Sequence, residues 1–163
     1  MMIGKAERQR LQFLSRVIER ECHHLLTTDQ RLFTSPFTTD RAVALAANTD
    51  ESERVDAFVT RFGRLQDTIG DKVMPLYLQA LGERTGAVVD NLDRGEKLGL
   101  IPSSDQWLAI RKLRNRMVHE YIEDAGMLSD ALQAGHEFVA VLRAVADQLL
   151  SDMQRRGLLD GGS

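Results

Sequence analysis

Arg111, Lys112, Arg114 and Arg116 crowd four positive charges into six residues, and His119, Tyr121, Glu123 and Asp124 follow at once. Histidine is the side chain that exchanges protons near neutral pH, with an ordinary pKa of about 6.5. Arginine offers a planar fork of N–H donors that grips phosphate or carboxylate in two bonds. A histidine near a guanidinium is therefore equipped to move a proton while an anion is held and its charge is stabilised.

The spacing decides whether these groups meet. At about 100° per residue on an ideal helix, with Trp107 as zero, Leu113, Met117, Ile110 and Tyr121 fall at about 240°, 280°, 300° and 320°, and Val118 at about 20°. Arg114 falls at about 340°, inside that apolar arc. A guanidinium there is costly unless it is paired or sits at a boundary, so a plain solvated face does not account for it. Arg111, Asn115, His119 and Lys112 follow on the polar side, between about 40° and 140°, and Asn115 can touch His119 four residues on. Arg114 and His119 lie five apart, about 140° around the helix. One straight helix does not aim both at one phosphate. Either the helix bends or a second subunit supplies part of the site.

The run Arg114-Asn115-Arg116-Met117-Val118-His119-Glu120-Tyr121 resembles the Arg-x4-His-x-Tyr motif of the HEPN superfamily. It is most similar to the motif of HepT-type toxins, which are encoded beside a minimal nucleotidyltransferase antitoxin. A histidine four to six residues after an arginine is expected about once by chance in such a chain, but four spacers and then a tyrosine make a chance match rare. The resemblance implies an all-α, HEPN-like antiparallel bundle that pairs as a homodimer, with arginine and histidine of both subunits lining a shared cleft. It implies RNA cleavage without metal or other cofactor, with Arg114 and His119 catalytic. Asn115 then orients the imidazole or binds phosphate, and Arg111, Lys112 and Arg116 attract the RNA backbone. Tyr121 holds the position to which the antitoxin of the HepT branch transfers AMP. A reading from another class is a non-catalytic HEPN module that binds a nucleotidyltransferase or a nucleotide. A third is a structural bundle in which the motif is coincidence.

Other chemistry finds less support. Cys22, His23 and His24 are adjacent, so on a helix they point about 100° apart and do not converge on one ion. His136 beside Glu137 reads as a solvated surface histidine.

The elements that must position the motif follow from composition and periodicity. In 163 residues, 43% hydrophobic and 28% charged, there is material for one soluble domain with a sizeable core. The single cysteine suits a reducing, cytoplasmic setting. No apolar run approaches the roughly 20 residues of a membrane span, and the first residues lack the apolar core of a secretory signal. A net charge of −3 disfavours nucleic-acid binding by the whole surface and leaves room for a local basic site.

Leu11, Leu14, Ile18, Cys22 and Leu25 predict a first helix over 5–26, and Pro36 marks the loop after it. A two-turn helix precedes Asn48, and Asp50 with Glu53 suggests a capping box. The longest stripe, Val55 to Ala80, predicts a helix of roughly 40 Å, bent at Gly70 or Pro75. A shorter helix over 85–98 stops near Gly99, and Ser103 with Gln106 caps the motif helix. A final helix runs from Ser129 to Arg155, with residues 1–4 and 158–163 frayed. The expectation is one domain of four main helices plus a short one.

Overall fold

The computed structural model describes residues 3–159 apart from 121–123, and these residues form helices and turns with no strand. Helix α1 (Lys5–Leu32) runs past the expected end at Leu26. The apolar stripe continues through Leu25 and Leu32, and the polar residues between them are satisfied: Thr28 bonds Arg61 and Asp29 bonds His136. After the loop, α2 (Thr39–Ala44) and a 3-10 turn (Leu45–Ala47) form the expected short segment.

Helix α3 (Thr49–Asp67) starts at a different cap from the one expected. The Asn48 side chain accepts from Glu51 N–H at 3.0 Å, two residues before the Asp50/Glu53 box. The expected bend is a π-helical segment, Thr68–Val73, followed by α4 (Met74–Ala80) with Pro75 in its first turn. Proline has no N–H to give, and a wider turn just ahead of it removes the demand for one. Gly70 lies in that segment, where a β-carbon would stand 2.6 Å from Trp107 Nε1. The missing side chain lets the indole of the motif helix seat on the π turn. Two buried donors, Trp107 Nε1 and Gln66 Nε2, converge there without partners.

Helix α5 (Val88–Lys97) ends in a left-handed glycine, Gly99 at φ 75°, with Leu100 N–H returning to the Gly95 carbonyl at 2.8 Å. The motif helix α6 (Ser104–Glu120) opens on the expected Ser103 cap, whose hydroxyl accepts from Gln106 N–H at 3.1 Å. Helix α7 (Ala125–Arg155) starts earlier than Ser129, because Asp124 caps it by accepting from Met127 N–H at 3.0 Å. Leu158, placed in a frayed tail by the sequence, is fully buried, and Arg8 and Gln12 of α1 donate to the carbonyls of Gly157 and Leu158.

Helices α1 and α3 lie antiparallel, joined by Glu21–Thr68 and Thr28–Arg61. Helix α6 packs against α3, α5 and α7. Their shared core includes Phe58 and Phe62 of α3, Trp107, Ile110 and Met117 of α6, and Val139 and Leu142 of α7. The apolar arc expected on α6 is buried at Trp107, Ile110, Leu113 and Met117, but Val118, at its edge, is 49% exposed.

Candidate functional site

Arg114 sits at the boundary that its angle demanded. Its aliphatic stem crosses α3 at Gly63, where a β-carbon would lie 3.4 Å from Cγ and 3.2 Å from Nε. The guanidinium then reaches one helical turn along α3, and NH2 donates to Asp67 Oδ2 at 3.3 Å. NH1 donates to the Asn115 side-chain oxygen at 3.2 Å. Nε is buried with no partner. The side chain as a whole is 36% exposed, so its tip reaches solvent while its stem is packed.

Arg111 repeats the arrangement one turn back, pairing with Asp71 of the π segment. Asp67 and Asp71 are spaced one turn apart, like the two arginines they meet, so α3 and α6 are laced along one edge. The sequence reading missed both acids. They lie four residues apart, Asp67 at the end of α3 and Asp71 in the π segment, but no local rule links them to α6 some 40 residues away.

The other expected site residues stay at the surface. Lys112, Asn115, Arg116 and His119 are exposed. Asn115 turns to Arg114 and not to His119, and among the described residues nothing forms a hydrogen bond or ion pair with His119. Arg114 therefore faces α3 while His119 faces solvent, the divergence the helix angles predict. Helix α6 runs as uninterrupted α-helix from Ser104 to Glu120. Tyr121 lies outside the described residues.

His136 is not the free surface histidine expected. Its Nδ1 lies 2.7 Å from Asp29 Oδ1, and its ring stacks on Phe33 at 4.3 Å between centroids. Of the Cys-His-His run, His23 and His24 are exposed, while burial pushes the Cys22 thiol up to about 11, well away from a reactive thiolate. Among the described residues, no group of three or more His, Cys, Asp or Glu gathers as metal ligands. No helix among them is long and apolar enough to cross a membrane.

A second polar region lies between α1 and α3. Glu21, His24, Arg61 and Arg64 line a cleft of about 210 Å³ between α1 and α3. Both carboxylate oxygens of Glu21 accept from the Thr68 hydroxyl, at 2.9 and 3.0 Å. Burial raises the Glu21 pKa, against the pull of that bond and of Lys72 and Arg64. At the other end of the bundle Tyr77 donates to the buried Asp152, which also takes Arg155 and Arg156. Burial and that carboxylate hold the phenol well above its ordinary range.

No protein-family model, curated protein or solved structure matches the chain.

Proposed function

We propose that the chain is a metal-independent endoribonuclease of the HEPN type, the toxin of a pair whose antitoxin is a minimal nucleotidyltransferase. The observation that carries this reading is the placement of Arg114. It is a half-buried arginine, guided by Gly63 and Asp67, with its guanidinium tip at the surface of the helix that also exposes His119. A surface arginine has no need of such support, whereas an arginine that must meet a phosphate in one orientation does.

In the proposed reaction, His119 accepts the proton of a ribose 2′-hydroxyl as that oxygen attacks the adjacent phosphorus. The bond from phosphorus to the 5′-oxygen breaks, the leaving oxygen takes a proton, and a 2′,3′-cyclic phosphate remains. Arg114 donates to the non-bridging oxygens, whose charge rises in the transition state. Since Arg114 and His119 diverge on one helix, two copies of α6 across a two-fold axis complete the site, the His119 of one protomer serving with the Arg114 of its partner. Lys112 and Arg116, exposed on the same helix, attract the RNA. For neutralisation, the Tyr121 hydroxyl attacks the α-phosphorus of ATP on the antitoxin and pyrophosphate leaves. The attached AMP brings negative charge and a base beside His119, where they exclude RNA.

The test is incubation of purified, unmodified protein with total RNA in EDTA, alongside His119→Ala. Cyclic-phosphate ends from the parent and none from the variant are expected. Equal cutting by the two would sink the mechanism. Co-expression with a nucleotidyltransferase should add the mass of AMP, or multiples of it, to the peptide holding Tyr121, but not in Tyr121→Phe.

The Asp67 contact favours a second reading, the non-catalytic HEPN module, because a carboxylate already holds the arginine that phosphate needs. On that reading the protein binds a nucleotidyltransferase partner but leaves RNA uncut in the same assay.

A further inference from the structure

We propose that the seam between α1 and α3 is a groove for single-stranded RNA, which lays its phosphates along a row of arginines and a base on Phe13. The choice of RNA among polyanions rests on the ribonuclease reading above. The groove itself rests on geometry.

Two clefts line the seam and share Arg61. One is the cleft of about 210 Å³ formed with Glu21, His24 and Arg64, and the other, about 260 Å³, adds Thr28, Arg31 and Arg54. Arg61 spans the joint, donating to the Thr28 hydroxyl and to the His24 carbonyl at 3.3 Å. On α1 itself, Phe13, Arg20, His24 and Arg31 fall within about 40° of one another at 100° per residue. They form one ridge on α1, whose His24 and Arg31 line the two clefts while α3 supplies Arg61 and Arg64 from the other side; Phe13 stands at the far end of the ridge, about 16 Å from His24 at 1.5 Å per residue. From Phe13 to Arg31 the ridge is roughly 27 Å long at 1.5 Å per residue, room for several nucleotides.

The cations here differ from those of the motif helix. On α6, Arg111 and Arg114 each hold a carboxylate. Among the described residues, no carboxylate lies within ion-pair distance of Arg20, Arg31, Arg64 or Lys72. A chain of net charge −3 thus gathers unpaired arginines on one seam, and Glu21, the acid among them, is bound to Thr68. The far end, at the start of α3, is acidic through Asp50 and Glu53, which ends the track.

Phe13 gives the groove its second component. Phe13 is 46% exposed, and the guanidinium carbons of Arg10 and Arg16 lie 5.3 and 6.0 Å from its ring centroid. An exposed aromatic flanked by two guanidiniums is the platform on which single-stranded bases stack, while cations beside it take the backbone. An acidic protein segment would use the arginines but has no comparable use for the ring.

The groove also leads to the motif. Arg64 follows Gly63, the residue under Arg114, and Glu21 feels the charges of Arg64, Lys72 and Asp67 together. A strand leaving the seam at Arg64 crosses one face of α3 to reach Arg114.

The experiment is fluorescence anisotropy in EDTA with a labelled single-stranded RNA of about 12 nucleotides, within the range of such grooves. The protein is the full chain carrying His119→Ala, so that the probe stays whole. The double variant Arg64→Glu/Lys72→Glu changes two exposed, unpaired side chains outside the core, and its melting curve is recorded beside the parent's so that lost binding is read only from folded protein. The double variant should bind at least about tenfold more weakly. Its salt slope should be shallower by about 1.4, because each phosphate that is no longer neutralised removes about 0.7. Phe13→Ala should weaken binding at least about fivefold, and Phe13→Trp should hold it near the parent value. Unchanged affinity in the double variant, or affinity indifferent to salt, would overturn the groove. A parent chain that binds through these residues but leaves RNA uncut overturns the nuclease reading alone. A chain that cuts RNA while the groove variants bind and cut like the parent overturns the groove alone.

Discussion

Arg114 carries three donors into three different surroundings: a carboxylate, an amide oxygen, and a buried spot with no acceptor. Its pair with Asp67 is more than one-third exposed on both sides, so it contributes at most about 1 kcal/mol to stability. Its value lies in orientation. On the proposed mechanism Arg114→Lys keeps the charge and loses the fork, so initial rates of cyclic-phosphate release should fall about 100-fold or more with little change in melting temperature. A lysine variant that cuts like the parent would show that charge alone suffices. Glu21 gives a residue-scale prediction independent of function. Its folded pKa is raised above the ordinary 4.5 by burial, so the folded state prefers the protonated form. Its contribution to stability is full below that value and is lost as pH rises through the folded pKa. Glu21→Gln retains an acceptor for Thr68 and removes the titration. It should melt higher than the parent near neutral pH and lose that advantage in acid, below 4.5. A melting difference that does not change with pH would show that the burial of charge is not what Glu21 contributes.

At the scale of elements, the π segment between α3 and α4 sets where α6 lies. It turns Gly70 under Trp107 and Asp71 toward Arg111. Gly70→Ala forces a β-carbon to 2.6 Å from the indole nitrogen, and overpacking of this kind costs about 1–3 kcal/mol. Chemical denaturation should show the loss. Trp107 is the chain's one tryptophan, so its emission in the native state should shift as well. Gly99→Ala, at φ 75° with open space around it, should cost about 1–2 kcal/mol through backbone strain and leave the emission unchanged. The same emission spectrum in both variants would mean that α6 does not rest on Gly70.

At the scale of the whole molecule, the proposed site is incomplete in one protomer. Val118 and Met127, 49% and 41% exposed, flank residues 121–123 at the end of α6 and the start of α7. They give the motif an apolar border suited to a second copy. Light scattering at micromolar concentration should return about twice the 18.3 kDa of the single chain, and Val118→Glu should return it to one. A parent that already scatters as a single chain removes the shared cleft and the two-copy reaction with it.

Much of this was legible from the chain alone, and the reason differs by feature. Helical periodicity is a local property, so the stripes of α1, α3 and α7 predicted the buried Leu14, Ile18, Phe58, Phe62 and Leu142. Caps are local too, so Ser103 and the Gly99 stop were found. The angle between Arg114 and the apolar arc already required a boundary position. The run of α1 to Leu32 was missed because it depends on which polar groups find partners: Asp29 stays helical and buried beside a histidine 107 residues away. Only the tertiary structure decided that Asp67 and Asp71 meet Arg114 and Arg111, that Gly63 and Gly70 leave room for α6, and that arginines of α1 and α3 share one seam. Pairings across antiparallel helices depend on which faces the core brings together, and that choice is made by the packing of the whole set of apolar stripes, not by the spacing within any one of them.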